Sequence, residues 1–208
     1  VHVITPCCCC CCWLCSYYFI CADGKYHEAQ MKVISRLQEL PNFYMRNHDL
    51  NSFSNEKIRK TIDYSISKNY NQNFDQTVLR CTVATMAEQK VAEMTCGIVA
   101  DYIIDYSDPL SFAYDVLSGP QYHGARIEVK THQTNSRWIS VNVERENPNG
   151  IMNLHHFLEY EAADVIVIYR SNYNVGGGYM FQSAFIGTRS DIKRVITRSN
   201  YSGWYLNI

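Results

Sequence analysis

The chain has 208 residues, 47% of them hydrophobic and 19% charged, with a formal net charge of −1. That length fits one domain able to bury an ordinary core, with room for an extra N-terminal segment. The balance of charge excludes a strong non-specific polyanion binder, whose affinity comes from many cationic contacts to phosphate. Asp23, Lys25 and Glu28 fall within residues 1–30, so 18 basic and 18 acidic side chains remain in residues 31–208. Any DNA contact must then be local, with Arg126, Arg137, Arg145, Lys193, Arg194 and Arg198 as candidates. Each of these also reads as ordinary solubilising charge.

Eight of the ten cysteines lie within residues 7–21, six of them consecutive at Cys7–Cys12. Adjacent cysteines have poor geometry for a disulfide framework. The C-x-x-C spacing at Cys12–Cys15 carries little weight for zinc in a run where nearly any spacing occurs. The apolar stretch Cys7–Ala22 is short for a membrane span and lacks the basic flank of a signal peptide. The chain begins with Val, and Met31 opens a domain-like sequence. Residues 1–30 are therefore expected to be a non-native or disordered Cys-rich segment, residues 31–80 an N-terminal helical region and residues 81–208 an α/β core. Cys81 and Cys96 read as reduced, buried thiols of a cytoplasmic protein.

Residues 31–40 carry a short helical pattern ended by Pro41, and the polar, Asn-rich residues 42–53 read as loop. Ser54 is a candidate N-cap for a helix to residue 68, and Lys68–Asp75 reads as a second loop. Residues 82–104 read as a long helix, with Ala84, Ala87, Val91, Met94, Ile98, Val99 and Tyr102 on one apolar face. Glu88 falls in the middle of that face and Glu93 on the polar side. Ser107-Asp108-Pro109 breaks to a strand at Phe112–Leu117 that carries Asp115. The turn Ser118–Gly124 leads to a second strand, Arg126–Thr131, and Arg137–Val143 alternates as a third. After a turn at Asn147–Gly150, residues 151–163 form a helix with Leu154, Phe157, Leu158 and Ala162 on one face. The continuous apolar run Asp164–Tyr169 is typical of a buried central strand. Gly176–Gly178 turns into a strand over residues 179–187, and residues 189–198 close with a basic helix. Helix, three-strand meander, helix and buried strand predict an α/β fold with a mixed central sheet flanked by helices.

One constellation carries chemistry. Strand residues i and i+2 share a face, so Glu128 and Lys130 point together while Ile127 and Val129 point into a core. Asp115, on the partner strand, reaches the same spot. Two carboxylates and an ammonium converging there are costly unless a cation lies between the acids. That is the chemistry of a divalent-metal phosphodiesterase. The acid-x-Lys pattern occurs four times, at Asp23-Gly24-Lys25, Glu88-Gln89-Lys90, Glu128-Val129-Lys130 and Asp191-Ile192-Lys193. Only the third lies among alternating strand residues and follows a turn leading back to an Asp. The competing account is a solvated hairpin whose acids and lysine pair across strands, which contributes little. Glu88 adds a third acid. A carboxylate directed inward from an apolar stripe needs a partner, which the metal site, its lysine or an Arg at the core edge would supply.

Two other features are weaker. His155 and His156 point about 100° apart on a helix and chelate one ion poorly, so they read as a solvated helix face. Gly176–Gly178 lacks the lysine and helix start of a phosphate loop.

A helix bearing Glu88, a strand bearing Asp115 and a strand bearing Glu128-Val129-Lys130, in that order, resemble the PD-(D/E)xK nuclease superfamily in its phage or restriction-endonuclease-like members. The resemblance spans roughly residues 80–170. Tyr114 stands where the motif is named for a Pro. The resemblance implies a restriction-endonuclease-like core and a Mg²⁺-dependent DNA endonuclease, with Mn²⁺ able to substitute. It implies that Asp115 and Glu128 bind the metal, with the Val129 carbonyl completing the shell, that Lys130 orients or activates the attacking water, and that Glu88 assists. Thr131 and Gln133 are expected to hold the phosphate, and Tyr122, His123 and Arg137 to touch substrate. The expected products are a 5′-phosphate and a 3′-hydroxyl. The expected partner is DNA, with no membrane partner, and a homodimer suits cleavage of both strands. The expected location is the cytoplasm, including that of a phage-infected host. Two other functions fit the same residues. One is a catalytically inactive nucleic-acid-binding or structural protein of the same fold, its acids held in salt bridges. The other is a different Mg²⁺ enzyme acting on a small phosphorylated substrate, which needs a closed pocket where a nuclease needs an open cleft. The neutral charge favours these two; the acid and lysine set favours the nuclease.

Overall fold

The structure, a computed structural model, describes residues 24–68, 71, 73–100, 114–133, 138–145, 151–174, 176–199 and 203–208. The Cys-rich run, the break at 107–109, the first residues of the strand expected at 112–117, Arg137 and the turn at 147–150 lie outside them. The elements in order are α1 (Gly24–Gln38), β1 (Asn42–Arg46), α2 (Ser52–Lys68), α3 (Phe74–Met94), β2 (Ile98–Val99), β3 (Val116–Leu117), β4 (Arg126–His132), β5 (Trp138–Asn142), β6 (Met152–Asn153), α4 (His155–Glu159), β7 (Val165–Asn174), β8 (Gly178–Gly187), α5 (Arg189–Val195), β9 (Ile196–Arg198) and β10 (Trp204–Asn207). Six strands form one mixed sheet in the order β1-β8-β7-β4-β3-β2, and four form a second in the order β6-β5-β10-β9. The α/β class and the mixed sheet flanked by helices are as expected.

β7 sits at the centre of the larger sheet, parallel to β4 and antiparallel to β8. Its alternation feeds two cores. Val165, Val167 and Tyr169 join Ile127 and Val129 of β4, Val33 and Leu37 of α1, and Met86, Ala87 and Val91 of α3. Ile166 and Ile168 face the other way, toward Ile139 and Val141 of β5, Leu206 of β10, and Leu154, Phe157 and Leu158 at α4. Each such side chain contributes roughly 1.5–3 kcal/mol by leaving water. A strand covered on both faces reads as a continuous apolar run, which is why Val165–Tyr169 was legible.

The β4–β7 register is fixed where both strands begin. Asp164 accepts the Arg126 backbone N–H at 2.8 Å and its guanidinium at 2.6 and 3.2 Å. The Asp164 N–H donates to the Arg126 carbonyl at 2.8 Å. α1 is tied to the same residue, through Tyr26 Oη donating to Asp164 Oδ1 at 2.7 Å and Gln30 Nε2 donating to its carbonyl at 3.1 Å. A two-pronged guanidinium–carboxylate pair sets geometry as well as energy.

Several expectations change. The first helix begins at Gly24 rather than residue 31, and its Tyr26, Ala29 and Gln30 make contacts or are buried. The stretch read as loop over 42–53 contains β1, whose Phe43 and Met45 are buried and which pairs with β8 at the sheet edge. Asn51, rather than Ser54, caps α2, its Oδ1 accepting the Ser54 N–H at 2.8 Å, and Ser54 is buried. The helix expected over 82–104 runs from Phe74 to Met94, capped by Asn73 through Gln76 N–H. It ends because Cys96 takes a left-handed φ of 47°. Gly97 N–H then bonds Ala92 O at 2.8 Å and Cys96 N–H bonds Glu93 O at 3.3 Å, a Schellman closure. Gly97 is required there, since a Cβ would stand 2.2 Å from the Leu117 carbonyl oxygen. Ile98 and Val99 are a strand, and Cys96 is an exposed thiol rather than a buried one.

The three-strand meander does not form. β4 has β7 as its second neighbour, and β5 joins the smaller sheet beside β10. The helix expected over 151–163 is divided into β6 and the short α4, and the final helix stops at Val195, where β9 begins. Among the described residues no helix is long and apolar enough to cross a membrane.

Asp164→Ala strips the ladder of its clamp and leaves Arg126 without its carboxylate. The expected loss is about 3–5 kcal/mol in urea unfolding. An unchanged midpoint would show that the ladder does not need it. Burial and the Asp164 hydrogen bond push the Tyr26 hydroxyl up to about 12. Its contribution is therefore complete below the ordinary tyrosine pKa of about 10 and is lost as pH rises through about 12, because the unfolded chain releases its proton first. The stability advantage of the wild type over Tyr26→Phe is expected to shrink across that window and to stay constant below it.

Candidate active site

β4 carries the site because its alternation separates two environments. Ile127 and Val129 are buried among helices, and Glu128 and Lys130 project from the opposite face. Glu128 is 8% exposed, and the Lys130 side chain retains 26% of its surface. The Lys130 ammonium is in direct contact with Glu128 Oε1. Burial works to lower the pKa of that ammonium, but the charges of Glu128, Asp115 and Glu88 outweigh it and hold it above its ordinary value. The four groups therefore form one electrostatic unit.

Asp115 lies at a bend one residue before β3. Its N–H donates to Ile127 O at 3.0 Å and its carbonyl accepts the Ala100 N–H at 2.8 Å. Its Oδ2 accepts the Val129 N–H at 2.7 Å. A strand residue presents its N–H and C=O to the same edge. The Val129 carbonyl therefore leaves β4 on the side where the Asp115 carboxylate stands.

Glu88 pairs with a lysine rather than an Arg. Lys57 Nζ of α2 is 2.5 Å from Glu88 Oε2 of α3, and both residues are buried. Lys57 was missed in the sequence. The available signal was its place on the inward stripe of α2 with Ser54 and Ile58, opposite another inward-facing charge. Gln89 is also buried, bonding Asp49 O and Glu93 Oε1 at 2.9 Å and accepting the Asn51 N–H at 3.0 Å.

The other expected residues divide. Thr131 is half-buried and alternates with Lys130, on the Val129 face of β4, and Gln133 is exposed beyond the strand end. His132 shares the parity of Glu128 and Lys130, and burial together with Arg170 lowers its pKa. Tyr122 and His123 sit at the closed end of the β3–β4 hairpin, against α1 rather than beside the acids. His123 Nε2 is 3.4 Å from Lys32 Nζ. Tyr122 lines a groove of about 330 Å³ with Met31, Lys32 and Arg36.

Among the described residues no three His, Cys, Asp or Glu side chains form a cage for a metal ion. The oxygen donors grouped at the β4 edge are two carboxylates and one backbone carbonyl. Such a set suits a hard cation that keeps several of its own waters, as Mg²⁺ does, and does not suit zinc or another ion that needs a closed shell of protein ligands.

A mixed sheet with one acid at the bend before β3 and an acid and a lysine on β4 defines the class as an α/β protein with a charged site at the edge of a central strand. Residues 28–208 match the family described as Bacteriophage T4 endonuclease IV, and the chain belongs to that family. Endonuclease IV of Enterobacteria phage T4 is 41% identical over 178 residues, covering 84% of this chain and 96% of that protein. No solved structure matches the chain.

The Lys57–Glu88 pair sets a double-mutant test. Lys57→Met alone removes the ammonium that the buried Glu88 carboxylate contacts and is expected to cost about 3–5 kcal/mol in urea unfolding. Adding Glu88→Leu is expected to recover most of that, since two apolar side chains refill the space. A double variant as unstable as the single one would show that the pair does more than compensate its own charges.

Proposed function

We propose that this chain is a Mg²⁺-dependent endodeoxyribonuclease that hydrolyses internal phosphodiester bonds by PD-(D/E)xK chemistry. The observation that carries the reading is the β4 edge. There the Asp115 carboxylate is held on the Val129 N–H while Glu128 and Lys130 meet on the adjoining face. The relative's name, Endonuclease IV, supports hydrolysis inside a polynucleotide, and the order of Glu88, Asp115 and Glu128-Val129-Lys130 supports the superfamily. The place of action on this reading is the cytoplasm of a phage-infected host.

Asp115, Glu128 and the Val129 carbonyl would hold the metal. A bound Mg²⁺ supplies Lewis-acid polarisation of the phosphate and a more acidic water. The protein's part is placement. Asp115 cannot swing freely, because its Oδ2 is bonded to the strand that carries Glu128. Glu128 is fixed by burial and by Lys130. Lys130 Nζ is a donor that can bond the attacking water or a non-bridging phosphate oxygen, where charge grows in the transition state. Glu88, anchored by Lys57, contributes negative potential that keeps Lys130 charged.

The test is cleavage of plasmid and single-stranded circular DNA with Mg²⁺ or EDTA. Mg²⁺-dependent cutting is expected, with Lys130→Ala, Asp115→Asn and Glu128→Gln each losing about 100-fold or more in rate at unchanged far-ultraviolet circular dichroism. Cutting that survives EDTA removes the metal from the reading. Cutting that survives Lys130→Ala moves the site elsewhere.

A further inference from the structure

The face of the larger sheet that bears Lys130 also carries an aromatic cluster to which the proposed chemistry assigns no task. The His155 and His156 rings lie 5.8 Å apart, and each is 5.4 Å from the Tyr160 ring, edge-on at 84° and 88°. Tyr160 is 60% exposed. An exposed phenol usually gains nothing from being held still. This one follows a short helix pinned from below by buried Leu154, Phe157 and Leu158. The first histidine is fixed from the side. Its backbone N–H bonds Asn153 Oδ1 at 2.8 Å and its ring Nδ1 lies 3.2 Å from Val143 O.

The cluster lies on the acid face. Ile166 and Ile168 share the second core with Leu154, Phe157 and Leu158, and they are the register partners of Glu128 and Lys130 on β4. The Lys130 charge is also felt at His156, whose pKa is lowered by burial first and then by His155 and Lys130. A braced aromatic ring open to solvent therefore belongs to the layer that covers the sheet face bearing Lys130, a cation suited to phosphate. The ligand that matches both is an aromatic ring joined to a phosphate. In a duplex both faces of a base are already stacked, so the fitting occupant is an unstacked one.

We propose that Tyr160, braced by His155 and His156, is a stacking platform for an unstacked nucleobase whose neighbouring phosphate lies at Lys130. The proposal rests on the endonuclease reading for its nucleic acid and adds the contact that positions the strand. Tyr160 supplies the π-face, the two imidazoles hold that ring in place, and Lys130 engages the backbone.

The experiment measures binding of a short fluorescein-labelled DNA single strand to the full chain with Ca²⁺ replacing Mg²⁺. It is repeated with a strand of the same length carrying an abasic tetrahydrofuran at every position. Tyr160→Ala is expected to weaken binding of the base-containing strand by about five- to 150-fold, while Tyr160→Phe retains it. The abasic strand is expected to bind wild type and Tyr160→Ala equally. Equal binding of the base-containing strand by wild type and Tyr160→Ala overturns the platform, as does an equal loss on both strands. If wild type cuts DNA in Mg²⁺ but either of those results is found, the endonuclease reading stands and only the platform falls. If wild type neither binds nor cuts DNA, both fall.

Discussion

The parallel ladder between β4 and β7, clamped where it starts by Arg126 and Asp164, is the constraint on which the rest of the molecule depends. The ladder decides which side chains of β4 enter the helical core and which face the second layer. A slip of one residue would send Glu128 and Lys130 among Val33, Met86 and Val91 and would turn Ile127 and Val129 out of that core toward the second layer. The cost of burying two unmatched charges makes that slip prohibitive. The clamp makes the correct register attractive as well as the wrong one costly. It draws on both strands and on α1 at once, through Tyr26 and Gln30. The sheet, the first helix and the polarity of the site therefore share one anchor.

The parts of the fold legible in the sequence are those in which a local pattern has a single physical outcome. The β3–β4 hairpin was legible because Gly119, Pro120 and Gly124 leave few ways to turn, and His123 and Gly124 do take left-handed backbone. β7 was legible because only a strand covered on both faces tolerates its apolar run. The choice of partner was not legible. Alternation at residues 138–142 says that one face is buried but not which sheet the strand joins, so β5 could equally complete a meander or pair with β10. The end of α3 was hidden because a non-glycine residue, Cys96, occupies the left-handed position. Ile98 and Val99 also happen to prolong the helical period.

The site shows the same division. Strand period alone placed Glu128 with Lys130. The same period sets Thr131 on the opposite face and brings His132 to theirs, a consequence the motif resemblance obscured. Asp115 was legible as a neighbour, but its bond to the Val129 N–H depends on the backbone leaving the ladder at a bend, which no side-chain pattern announces. Lys57 and Glu88 are each anomalous alone, as charges on inward helical faces. Only their juxtaposition across α2 and α3 explains both. A polar residue on an apolar stripe is then best treated as one half of a pair, with the search for the other half made along the inward stripes of neighbouring helices.

On the endonuclease reading, the charges of this region would let the chain take a highly charged ligand while remaining nearly neutral. Glu88, Asp115 and Glu128 face Lys57 and Lys130, leaving one unit of negative charge in excess. Each lysine contacts an acid, so the cluster is tolerable before anything binds. On the endonuclease reading, a divalent cation would reverse that excess and a phosphate would restore balance, so both would be favoured together more than either alone. On the same reading, this local exchange would replace the broad basic surface that a chain of net charge −1 lacks. Affinity built on few phosphate contacts falls only weakly with salt, so on that reading much of the grip on a strand would come from contacts that salt does not screen. The proposed Tyr160 platform would provide that kind of contact. The neutral charge, which in the sequence counted against a nucleic-acid enzyme, is then consistent with one that holds a strand by a base and a metal-bound phosphate instead of by its whole backbone.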